Sequence, residues 1–243
     1  MKLSHAIIGL CAAVAALPVY AAEPPSVAQI RTFMRDYGTC IVRREPELAQ
    51  QAVLSGASFR RESPEGKRLL QSECMDPDTL RNASSGFQGR LRMRFDDDSY
   101  RGFIAEALVA KGAPTLTVNG LKSVPLLTYD EPRPLRMTYP DGKPVPEDKL
   151  ERQRAAIVRK TQAVLMGKLG ECVVRNAPEQ SRAALSTAIE TPAELQSLNA
   201  LGPALQQCIK AGETVALDRM SVRGAVAIAY YRLSQAKPSG ASL

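Results

Sequence analysis

The phrase DDDSYRGFIAEALV at 96–109 returns, altered, as DRMSVRGAVAIAYY at 218–231, and a chain that repeats itself in order is constrained to build one unit twice. At that offset of 122, Asp96 pairs with Asp218, Ser99 with Ser221, Arg101 with Arg223, Gly102 with Gly224, Ala105 with Ala227 and Ala107 with Ala229. An earlier match runs at 132: Gly38 with Gly170, Cys40 with Cys172, Val42 with Val174, Arg43 with Arg175, Pro46 with Pro178 and Glu47 with Glu179. The second cysteines, Cys74 and Cys208, follow at 134. The shifting offset implies two extra residues in the second copy and twelve in the first, around DPDTLRNASSGFQG.

The cysteines obey the same frame. Cys40, Cys74, Cys172 and Cys208 allow three pairings, and Cys40–Cys74 with Cys172–Cys208 closes loops of 35 and 37 residues, one in each copy. Chain entropy for such loops gives at most about 3.8 kcal/mol each. No CxxC or zinc-like spacing occurs, so a structural role is expected.

The N-terminus reads as a signal peptide: Lys2 and His5, the apolar run AIIGLCAAVAALPV, then VYAAEPP with cleavage expected after Ala21. Leu10 before Cys11 does not fit a lipoprotein. No later run approaches about 18 apolar residues, so no transmembrane segment is expected in the mature chain. Two disulfides fit the oxidising compartment this implies, periplasmic or secreted. The one histidine, His5, leaves with the signal, which removes Ser-His-Asp and Cys-His catalysis and histidine-bound metals. Losing Lys2 from the total of +7 leaves a modest basic surplus, which solubilises or favours an envelope protein or acidic envelope polymer as partner. Nucleic acid is not expected, because no basic run carries interleaved aromatics.

Each copy reads as helices. After a cap-like Ser26, Val27, Ile30, Met34, Tyr37 and Ile41 recur at helical spacing, and Met166, Leu169 and Val173 repeat the pattern on a longer helix from Pro146. Pro46 and Pro178 start second helices, and a third segment in each copy carries the second cysteine. In the repeated phrase, Ser99 or Ser221 is placed to cap a helix whose apolar faces are Tyr100, Ile104, Ala107, Leu108 and Val222, Val226, Ala229, Tyr230. RMRF and TVAL precede these helices as short extended pieces. Glycine inside a helix costs about 1 kcal/mol, so Gly102 and Gly224 predict a close backbone neighbour. Asp96, Asp97 and Asp98 read as an acidic helix start rather than a calcium loop, since the second copy keeps only the first. Arg43, Asp96 and Arg101, with Arg175, Asp218 and Arg223, are expected to form a structural ion-pair cluster in each copy.

Between the copies, 112–146 holds seven prolines and two turn signals, Asn119-Gly120 and Asp141-Gly142. A small β-hairpin insertion is expected there, with Tyr129 and Tyr139 either packed or available to a partner. The layout is therefore a signal peptide at 1–21, helical repeats at 24–111 and 147–236, the insertion, and a disordered tail at 237–243. The expected fold is mainly α: two disulfide-stapled helical repeats about a pseudo-twofold axis.

GTCIVRREP with RGFIAEAL, and more loosely GECVVRNAP with RGAVAIAY, resembles a group of small secreted proteins of Gram-negative bacteria. The resemblance spans 38–109 and 170–231 and implies no function. Ile228 stands where the first copy has Glu106, so both halves cannot use that carboxylate. No cofactor, metal or catalytic residue is nominated. The expected function is a non-enzymatic binding or scaffold module, the alternative being a carboxylate-based hydrolase or lyase acting on cell-wall polymer.

Overall fold

The computed structural model describes residues 26–55, 63–70, 72–74, 97–210 and 217–237. The expected signal peptide, RMRF, Asp96 and 238–243 lie outside the described residues, as do 214–216 of TVAL. Among the described residues the chain forms ten α-helices. They are α1 (Val27–Arg44), α2 (Pro46–Leu54), α3 (Pro64–Leu69), α4 (Asp97–Gly112), α5 (Val118–Leu121), α6 (Glu147–Asn176), α7 (Pro178–Ser186), α8 (Pro192–Asn199), α9 (Gly202–Cys208) and α10 (Arg219–Gln235). A single 3-10 turn, Ser72–Cys74, accompanies them.

Local chemistry sets these boundaries. Ser26 and Gln29 form a reciprocal capping box at the start of α1. Glu45 and Ala177 leave helical geometry, and the following prolines begin α2 and α7, where a missing N–H leaves nothing unsatisfied. Both expected disulfides are present: Cys40–Cys74 ties α1 to the 3-10 turn, and Cys172–Cys208 ties α6 to the end of α9.

The core is centred on α4 and α10, which pack on each other, with α1 laid against α4 and α6 against α10. Tyr100, Ile104 and Leu108 are buried there, as are Val222, Val226 and Tyr230. The two central helices cross at glycines: a methyl group on Gly102 would lie 2.9 Å from Gly224 Cα. At the flanking crossings a methyl on Gly38 would strike the Phe103 carbonyl, and one on Gly170 the Ala225 carbonyl.

Two expectations are corrected. The cap of α10 is Asp218 rather than Ser221: its carboxylate accepts from Ser221 N at 2.8 Å, and the Ser221 hydroxyl accepts from Asp218 N at 3.1 Å. α4 likewise begins before Ser99. The insertion contains no strand among the described residues. Asn119-Gly120 lies in α5, capped by Thr117, whose hydroxyl accepts from Gly120 N. The Asp141-Gly142 turn closes only an isolated antiparallel bridge, Thr138 with Pro144. Side chains take the place of a strand partner. Arg175 donates to the carbonyls of Leu121 and Val124 at 2.9 and 3.1 Å, Arg232 to Thr128 at 2.8 Å and Arg182 to Ala113 at 2.9 Å, while Leu127 N donates to Glu171 at 2.9 Å. With prolines along its length unable to donate, the segment is a strap over α6 and α10.

Candidate functional site

The predicted arginines serve helix ends and the strap. Arg101 donates to the carbonyls of Ala52 and Val53 at 2.9 and 3.0 Å, closing the end of α2. Arg223 does the same for α7, donating to Ala184 and Leu185 at 2.7 and 3.0 Å. Arg175 pairs with Glu171 and holds the strap, Arg43 is exposed, and Asp218 is spent on the α10 cap. The expected grouping of Asp218, Arg223 and Arg175 thus does not assemble, because each has nearer backbone or carboxylate partners. Asp96 is outside the described residues.

Arg223 instead belongs to a buried network that the sequence reading missed. Its Nε donates to Glu106 Oε2 at 2.7 Å and its Nη1 to Glu194 Oε1 at 3.4 Å. Arg31 reaches Glu194 through two bonds, 2.5 and 3.2 Å, and also pairs with Glu190. Arg223 and Arg31 are 3% exposed and Glu194 0%. Such burial is tolerable only because each charge meets several opposing groups. Glu190, between α7 and α8, has a positive φ of 59° without being glycine, and its amide donates to Glu194 at 2.9 Å. The network thus ties α1 and α4 to α8 and α10. Arg31 carried a usable signal: it lies four residues after Val27 and three before Met34, inside the apolar stripe of α1.

The place around Arg101 differs. A cleft of about 290 Å³ opens among Ser99 and Arg101 of α4, Ala163, Val164 and Met166 of α6, Ser221, Gly224, Ala225 and Ile228 of α10, and Tyr129 of the strap. The sequence offsets relate it to the network: Ala163 matches Arg31, Ile228 matches Glu106 and Arg101 matches Arg223. Helix starts supply a further match, since the Ser63 hydroxyl accepts from Gly66 N as that of Thr191 accepts from Glu194 N. In the sequence alignment two charged side chains, Arg31 and Glu106, thus correspond to alanine and isoleucine.

Lys160 and Arg232 add cations to the cleft wall, and Asp130 pairs with Lys160 at 3.0 Å. Tyr129 donates to Gly167 O and Glu171 at 2.8 and 2.9 Å and lies under the Arg232 guanidinium, 5.3 Å from its ring centre. Burial, and then Glu171, push its hydroxyl above the usual range, so it remains a donor. Tyr129 is thus used in packing, whereas half-buried Tyr139 contacts Lys149. Among the described residues no cluster of three acidic or sulfur side chains offers a metal site, and no helix is long and apolar enough to cross a membrane. No family model matches the chain, and neither a curated protein nor a solved structure matches it.

Proposed function

We propose that the chain is an exported, non-enzymatic binding module made of two copies of one helical unit, and that its ligand enters the cleft among α4, α6, α10 and the strap. The observation that carries this reading is the contrast at sequence-matched positions: Arg31 and Glu106, with Glu194, fill one inter-helix space with ion pairs, whereas Ala163 and Ile228 line an open one. The Gly102–Gly224 crossing supports the twofold arrangement, since matched residues there touch each other, as across a twofold axis. The disulfides and N-terminal segment support export to a periplasmic or extracellular space. Against the hydrolase alternative, the Glu106 and Glu194 side chains are buried and paired with Arg223 and Arg31.

Nile red, a neutral apolar probe, tests the reading. One molecule is expected to bind per chain, and Ala163→Phe, which fills the cleft wall, is expected to abolish binding without changing the thermal unfolding midpoint. Absent binding, or equal binding by Ala163→Phe, would overturn it. Cell fractionation with mass measurement checks export; the mature chain is expected to begin at Ala22.

A further inference from the structure

The cleft also holds a charge imbalance that selects among ligands. Arg232 is 8% exposed and lines the cleft. Its one hydrogen bond is from Nη2 to Thr128 O, and it forms no ion pair among the described residues. The nearby Glu171 is already engaged by Arg175, by the Tyr129 hydroxyl and by Leu127 N. A largely buried guanidinium beside a tyrosine face, with its remaining donors reaching the cleft and no ion pair among the described residues, favours an anion in the adjoining space. Lys160 is on the same wall, paired with Asp130, whose side chain is 61% exposed, so a ligand anion replaces that partner at little cost. Arg101, Asp218, Ser99 and Ser221 also line the cleft, the Asp218 carboxylate being spent on the α10 cap. The apolar part of the wall is Val164, Met166, Met220, Ala225 and Ile228. About 290 Å³ falls just below the roughly 300–1,000 Å³ range of small-molecule sites, so the ligand is small.

Resting on the cleft reading above, we propose that the ligand is a small anionic amphiphile, with its carboxylate or comparable anionic group at Arg232 and its apolar chain along Ile228 and Met166. The test is displacement of Nile red from the native chain by decanoate, decanol and decyltrimethylammonium. Decanoate is expected to act at about tenfold to a hundredfold lower concentration than decanol, the span of a hydrogen bond to a charged group. Decyltrimethylammonium is expected to be the weakest. Arg232→Gln is expected to bring decanoate and decanol to the same displacing concentration, and a preference for decanoate that survives the substitution would overturn the anion assignment. Equal action of the three amphiphiles on the native chain, with Nile red still failing to bind Ala163→Phe, would overturn the anion assignment and leave the cleft reading standing. Failure of Nile red to bind at all would overturn both.

Discussion

Arg223 and Arg101 do the same work for the backbone in contrasting surroundings. Both arginines close a helix end through a pair of consecutive carbonyls, Ala184 and Leu185 in one case, Ala52 and Val53 in the other. Beside Arg223 the space is filled by Glu106, Glu194 and, beyond them, Arg31. Beside Arg101 it is a cleft bordered by Ala163 and Ile228. The backbone task is common to both, whereas the side chains that fill or vacate the neighbouring space are not.

The largest effect should come from breaking the filled side. Glu194→Ala leaves two buried guanidiniums short of a carboxylate, and a loss of about 3–5 kcal/mol is expected in urea unfolding. Ala163→Leu, on the open side, should change stability by less than about 1 kcal/mol, because the added atoms enter space that is already present. Similar losses from the two variants would erase the contrast.

A smaller effect separates the two central glycines. A methyl on Gly102 meets Gly224 Cα at 2.9 Å, whereas one on Gly224 meets Gly102 Cα at 3.5 Å, an ordinary contact. Gly102→Ala should therefore destabilise by about 1–3 kcal/mol. Gly224→Ala should be neutral or gain up to about 1 kcal/mol from helix propensity, as read by the thermal midpoint.

The smallest expected effect is in the pH profile. Burial pushes the Glu106 carboxyl above its usual range despite Arg223. Burial acts the same way on Glu194 but is outweighed by Arg31, the Glu190 amide and Arg223, which hold it below the usual range. Glu106 therefore adds stability as pH falls from its raised value toward about 4.3, the ordinary carboxylate pKa. Glu194 adds stability above about 4.3 and loses it as pH falls further through its lowered value. Glu106→Gln should flatten the profile between neutrality and about pH 4.3 while leaving the acid-side loss in place; an unchanged upper limb would contradict the assignment.

Much of the framework was legible because it is written in local chemistry. Ser26 and the two prolines mark helix starts, cysteine spacing nominates both bridges, and a glycine repeated inside a helix announces a crossing. The strap was misread because Asn119-Gly120 suits a hairpin only when flanking strands can pair, and here Thr117 caps a helical turn while arginines from distant helices take the carbonyls. The cap of α10 was placed three residues late because Ser221 and Asp218 act together, and either alone would read as a start. Of the site, Arg101 and Arg223 were legible as a pair, but their surroundings were not. Glu194 and Glu190 come from α8 and the turn before it, whose approach to Arg31 is set by tertiary packing. Arg232 looks ordinary in sequence, and only burial beside the strap marks it as a cation without a carboxylate partner among the described residues.

The most direct measurement is an amide NMR titration of the nitrogen-labelled chain with decanoate. The account predicts saturable shifts at Tyr129, Ala163, Gly167, Gly224, Ile228 and Arg232, with Arg31, Glu106 and Glu194 unmoved. Shifts centred on those last three residues, or no saturable shifts at all, would contradict it.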